Sequence, residues 1–161
     1  MIIGIVSDTH DQLDCIDRIL DHFARHEVDH ILHGGDFVAP FSVKWLKRAG
    51  CPITAVFGTN DGERLGLRKA FKDMGEVHER MVKLELAGRR IALMHEPDFV
   101  EELAASGAFD VIVYGHTHGA EVRRVNETLV INPGGGGGVP DGNPTCCVLD
   151  LATLKATIDP I

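Results

Sequence analysis

The chain has 161 residues, with 16 Lys or Arg against 24 Asp or Glu, so its formal net charge is −8 with histidine neutral. That length predicts one domain spanning 1–161, is too short for a β/α barrel of about 200 residues or more, and includes no apolar run near the ~18 residues of a membrane span. The acidic balance also excludes the basic stripe of a general nucleic-acid surface.

Residues 2–7 are a continuous apolar run rich in β-branched side chains, which predicts a buried strand. No basic leader or cleavage site accompanies it, so a cytoplasmic protein is expected. Leu13, Ile16, Ile19, Leu20 and Phe23 then recur at helical spacing, ending near His26. Ile31 and Leu32 mark a second strand closed by Gly34 and Gly35. A short helix is predicted over 41–47, after Pro40. A third strand follows over 53–57, closed by Gly58, and then a helix over 65–74 weakened by Gly66. Phe37, Phe41 and Trp45 are candidates for an exposed apolar face, so association between copies of the chain stays open.

The second half is richer in strands. Val82, Leu84 and Leu86 alternate with polar neighbours, Gly88 turns the chain, and 91–94 is apolar, which predicts a hairpin. A short helix over 99–105 and a strand over 111–114 follow, then strands over 121–125, 128–131, 145–150 and 154–158. Alternating β and α units followed by paired strands imply an α/β core with antiparallel additions. Cys15, Cys51, Cys146 and Cys147 show no C-x-x-C spacing and read as reduced thiols. Adjacent Cys146 and Cys147 must point to opposite faces of their strand. The run 134–138, all glycine, reads either as a flexible loop or as backbone approaching a ligand closely.

The polar residues fall at one recurrent place. Strands end in Ser7-Asp8-Thr9-His10, in Gly34-Gly35-Asp36, in Gly58-Thr59-Asn60-Asp61, in His95, and in Gly115-His116-Thr117-His118. In open α/β sheets, ligands bind outside the carboxyl ends of strands. If these strands share a sheet edge, Asp8, His10, Asp36, Asn60, Asp61, His95, His116 and His118 converge there. Mixed carboxylate and imidazole donors suit zinc, manganese or iron, and so many donors exceed one tetrahedral ion. The other histidines read differently: His22 and His26 as a solvated helix face, His30 and His78 as strand-edge surface, and His33 as support behind the site. His95-Glu96-Pro97 is not the start of an H-E-x-x-H helix.

These ordered motifs resemble the calcineurin-like metallophosphoesterase superfamily, most closely its small archaeal and bacterial phosphodiesterases. Asn132-Pro133-Gly134 is also typical of that branch. The resemblance implies a four-layer αββα sandwich of mixed sheets, with a metal site at the C-terminal ends of the strands. It implies a metal-dependent phosphodiesterase acting on small phosphodiesters, with two divalent ions and a metal-bound hydroxide as nucleophile. Asp8, His10 and His118 would hold one ion, Asp36 would bridge, and His95 and His116 would hold the other. Manganese is the expected metal, with nickel, cobalt, iron or zinc as alternatives.

Two departures from the family pattern stand out. The third motif usually reads Gly-Asn-x-Asp, whereas Thr59 occupies the ligand position here. The fourth often reads His-Gly-His, where this chain has His95-Glu96-Pro97. Both imply a weaker second metal position and no histidine to protonate a leaving group, with Asn60 available to hydrogen-bond a phosphoryl oxygen. A non-catalytic scaffold on the same fold and a phosphomonoesterase are the alternative readings.

Overall fold

The computed structural model describes residues 1–140 and 142–161. The first half builds a six-stranded sheet. Apolar β1 (Ile2–Val6), β2 (His30–His33), β3 (Ile53–Val56) and β4 (Gly75–His78) lie parallel, and β10 (Thr145–Asp150) and β11 (Lys155–Pro160) extend it antiparallel, in the order β11-β10-β1-β2-β3-β4. The crossovers are α1 (Leu13–Arg25), α2 (Pro40–Trp45) and α3 (Arg64–Phe71). A second sheet has the order β5-β6-β7-β9-β8. Its strands are β5 (Val82–Leu86), β6 (Arg89–Leu93), β7 (Val111–Val113), β8 (Glu121–Val125) and β9 (Thr128–Asn132), with α4 (Val100–Ala105) between β6 and β7. In it β6, β7 and β9 are parallel and the edge strands antiparallel.

Burial divides into three apolar layers, which is what four stacked layers of structure require. Ile16, Ile19, Phe23, Val43, Leu67 and Phe71 cover the outer face of the first sheet. Ile3, Ile5, Leu32, Leu93, Val113 and Ile131 fill the space between the sheets. Val100, Ala104 and Phe109 pack on the outer face of the second sheet against Ala92, Ile112 and Val130. The fold is the expected αββα sandwich. Strand alternation explains β1, where Val6 faces the helices while Ile3 and Ile5 face the other sheet. Cys146 and Cys147 divide in the same way, and all four cysteines are free thiols. No helix among the described residues is long and apolar enough to cross a membrane.

Local expectations need correction in places. The helix predicted over 65–74 stops at Phe71, and the chain then enters β4, which the apolar pattern does not announce. Gly75 makes that entry possible: its φ is 154°, and a Cβ there would sit 1.8 Å from the Ile53 carbonyl oxygen. The second helix ends at Trp45 and continues as a tighter 3-10 turn over Leu46–Ala49. Phe37 is core at 1% exposure, whereas Phe41 and Trp45 are exposed at 52% and 40%. His30 lies on an interior strand and bonds Thr54 Oγ1 at 2.9 Å.

Ile5 is fully buried between the sheets. Ile5→Ala is expected to lower unfolding free energy by about 2–5 kcal/mol, the usual range for an aliphatic core truncation to alanine, measured by urea denaturation with the m-value unchanged.

Candidate metal centre

Six loops leave the carboxyl ends of parallel strands β1, β2, β3, β6, β7 and β9 and meet at one edge of the sandwich. Backbone bonds tie them together. Asp8 N–H donates to Gly35 O at 2.9 Å, His10 N–H to Asp36 O at 3.1 Å, and Gly115 N–H to His95 O at 3.0 Å. The glycine run after β9 belongs to this network and is not a free loop. Gly136 N–H donates to Ser7 O and Gly137 N–H to Asp8 O, at 2.8 and 2.9 Å. A Cβ on Gly137 would lie 2.5 Å from Thr9 O, so close backbone-to-backbone approach is what requires glycine there.

The carboxylates come first. Asp8 and Asp36 are buried at 0% and 2% exposure. Asp8 Oδ2 accepts the His116 backbone N–H at 3.1 Å. Asp36 accepts twice from Asn60, from its backbone N–H to Oδ1 at 2.7 Å and from its side-chain amide to Oδ2 at 2.6 Å. Burial pushes the Asp8 carboxyl above its ordinary pKa, against the opposing pull of His95 and His118.

The imidazoles surround these acids. His95 is 3% exposed and donates Nδ1–H to Gly34 O at 2.8 Å, which turns the Nε2 lone pair inward, 3.6 Å from Asp36 Oδ2. His118 donates Nδ1–H to Val139 O, which aims Nε2 at Asp8 Oδ1, 3.3 Å away. His10 Nε2 stands 3.7 Å from Asp36 Oδ2, and His116 Nδ1 stands 3.2 Å from His95 Nε2. A ring N–H fixed by a backbone carbonyl, with the other nitrogen bare, is the usual arrangement of a metal-ligating histidine.

The donor set fits a cation. Asp8 Oδ1 and His10 Nε2 are buried and have no hydrogen-bond partner, and Asp8 Oδ1 faces the bare Nε2 of His118, two lone pairs with room for a cation between them. Two groups, Asp8/His10/His118 and Asp8/Asp36/His95, each place their ligand atoms within 4.8 Å of one another. The backbone is strained where these side chains leave it. Asp8, His10, Asp36, His116 and His118 all have φ between 42° and 67°. Each such non-glycine residue costs on the order of 1–2 kcal/mol, and strain of this kind concentrates at functional sites.

Two supporting residues lie outside the expected ligand set. Asp61, expected among the converging side chains, faces the backbone: Oδ2 accepts from Asp36 and Gly58 N–H at 3.0 and 2.7 Å, and Oδ1 from Val38 N–H at 2.8 Å. It clamps the loops after β2 and β3. Buried Asn132 donates to Gly115 O and Thr117 Oγ1 and accepts from Gly134 N–H, joining the His116–His118 loop to the glycine run. Its signal was in the sequence, as an amide directly before Pro133-Gly134, but burial gives it meaning. Thr59 is exposed and lines a cleft of about 820 Å³ with Phe57, Arg80, Met94, His95 and Phe99.

A model of the calcineurin-like phosphoesterase superfamily domain matches residues 1–154. The chain belongs to this superfamily. It is 37% identical to a phosphodiesterase of Methanocaldococcus jannaschii, over 93% of each chain. It is 28% identical to a probable metallophosphoesterase of Methanothermobacter thermautotrophicus, covering 83% of this chain and 76% of that one. Among solved structures, an archaeal phosphodiesterase superposes with a TM-score of 0.95 at 34% identity over the whole of both chains. Vacuolar protein sorting 29 of Cryptosporidium parvum superposes at 0.73 with 20% identity, over 99% of this chain and 96% of that one, and shares the fold. The superfamily implies divalent metals, and the acid and histidine loops carry two groups of side chains that could hold one.

His33, directly behind these loops, is fully buried and stacks on Phe37 at 3.8 Å between ring centroids. Gly35 N–H donates to its Nδ1, so Nε2 carries the proton toward Thr9 Oγ1 and the ring is neutral. Burial, then the neighbouring His95 and His10, hold its pKa well below the usual histidine value. Below about pH 6.5 the unfolded chain therefore binds a proton that the folded chain does not. Stability is expected to fall as pH drops from about 7 to 5, and to fall less in His33→Gln, measured by urea unfolding across that range.

Proposed function

We propose that the chain is a metal-dependent phosphodiesterase of small phosphodiesters, built as a single domain over 1–161. The observation that carries this reading is Asp36 Oδ2, which lies 3.7 Å from His10 Nε2 and 3.6 Å from His95 Nε2. Asp36 Oδ2 thus lies near a histidine of each group, and Asp8 belongs to both. Asp8, His10 and His118 would hold one divalent ion, His95 and His116 the other, with Asp36 shared. When bound, such a pair supplies Lewis acidity at the phosphoryl oxygens and lowers the pKa of water. Manganese is the ion we favour, with nickel, cobalt, iron and zinc as alternatives.

The protein groups do the positioning. His95 and His118 are held in one tautomer by Gly34 and Val139 carbonyls, so their Nε2 atoms stay aimed inward. The Asn60 amide, reaching Asp36 from the open side, donates to a phosphoryl oxygen of the substrate. An amide cannot protonate a leaving alkoxide, so diesters with acidic leaving groups are the best substrates. The cleft beside His95 and Thr59, walled by Phe57, Met94 and Phe99, takes the organic group of the ester. Thr59 stands where the family pattern has its asparagine ligand. A hydroxyl is the poorer donor, which leaves the second ion weakly held.

Purified protein with manganese is expected to hydrolyse an aryl phosphodiester well above its metal-free control, and absence of turnover overturns the reading. His116→Ala should lower kcat/KM by more than about 100-fold, since even outer-shell partners of metal sites are worth 10–100-fold. Thr59→Asn should raise the number of manganese ions retained after desalting. Unchanged retention would show that position 59 does not limit the second ion.

A further inference from the structure

A second cluster of metal-ligating side chains lies on the outer layer and shares no residue with the loop site. His22 and His26 are four residues apart in α1 and its C-terminal cap, so both imidazoles leave the same side of the helix. Their ring centroids are 4.3 Å apart. Asp159 reaches them from β11, the edge strand of the six-stranded sheet. It pairs in register with Cys146, whose side chain packs in the layer under α1, so Asp159 faces the helix as well. His22 Nε2 meets Asp159 Oδ2 at 3.0 Å, and ligand atoms of all three side chains lie within 4.8 Å of one another.

We propose that His22, His26 and Asp159 form a divalent-cation site, best suited to zinc, that fastens the C-terminal edge strand to α1.

The chemistry favours this metal. Two imidazoles and one carboxylate are a familiar zinc donor set, with metal–ligand distances near 2.0–2.2 Å. Tetrahedral ligands at that range stand about 3.4 Å apart, so small rotations of His26 and Asp159 close the site. His26 is already oriented for ligation: its Nδ1–H donates to the His22 carbonyl at 2.9 Å, which leaves Nε2 with a free lone pair. That is the same backbone-carbonyl support seen at His95 and His118. The ion takes the place of the proton between His22 Nε2 and Asp159 Oδ2, and that proton passes to solvent. Cys146, packed in the layer under α1, is not among the side chains whose ligand atoms gather here. Water completes the coordination.

The consequence is mechanical. Among the described residues β11 has only one neighbouring strand, β10. Ala156 and Ile158 pack into the layer between the sheets, and Ile161 adds main-chain bonds, from Arg18 and to Pro144 O. A cation shared with α1 adds a cross-link between an edge strand and the first crossover helix. Such a ligand stabilises the folded state in proportion to the logarithm of its concentration over Kd.

The test compares the full chain with His26→Ala and Asp159→Asn after loading with excess zinc chloride and desalting. Elemental analysis is expected to find one zinc ion per chain fewer in either variant than in the wild type. Zinc should also raise the wild-type Tm further than it raises the Tm of His26→Ala. Manganese-supported hydrolysis of an aryl phosphodiester should be unchanged in His26→Ala, which separates this site from the loop centre. Equal zinc content and equal zinc-induced Tm shifts in wild type and His26→Ala overturn the proposal. His26 is exposed, so this variant decides the question even if Asp159→Asn does not fold.

Discussion

Asp8 and Asp36 leave water almost completely, and their oxygens fall with His95 Nε2 or its partner nitrogen inside a group 4.8 Å across. Two like charges at that separation repel by on the order of 3 kcal/mol at an effective dielectric near 20, and desolvation adds several kcal/mol per ion. Much of the surrounding structure offsets this. Backbone N–H groups of His116 and Asn60 point at the carboxylates, and four imidazoles encircle them. Positive charge placed among these ligands removes both penalties at once, which is why the constellation reads as a metal centre.

The rest of the fold holds that arrangement against its own strain. Five of the side chains concerned leave the backbone in the left-handed region, and none of them is glycine. Such conformations persist only when neighbouring structure over-determines them. Asp61 and Asn132 do this locally, each joining two loops through three hydrogen bonds. The three apolar layers do it globally, because parallel strands locked between two cores cannot slide to relax a loop at their ends. Stability made by the sandwich is thus spent at one edge.

Much of this was legible along the chain. Apolar runs that end in glycine, acids or histidines marked β1, β2, β3, β6 and β7, and each apolar run proved to be a strand buried on both faces. The motifs Asp8-x-His10, Gly35-Asp36 and His116-x-His118 were readable because a metal centre needs particular donors at short spacing. What escaped was whatever depends on a distant neighbour. β4 has only Val77 buried, so no apolar pattern announces it; it is a strand because β3 offers an edge. His22 looked like one more solvated helix residue because Asp159 is 137 positions away. Phe37 looked like surface until α2 and α3 closed over it.

The sequence by itself determined the donor chemistry, the alternation of β and α units and the departure at Thr59, since all three depend on residue type and local spacing. Only the tertiary structure decided the direction of each polar side chain. Asp36 and Asp61 both follow a strand and a glycine, yet one turns inward among the imidazoles and the other turns back to cap three backbone N–H groups. The physical reason is that a buried carboxylate takes whichever partners the assembled loops bring to it, and those partners come from other strands.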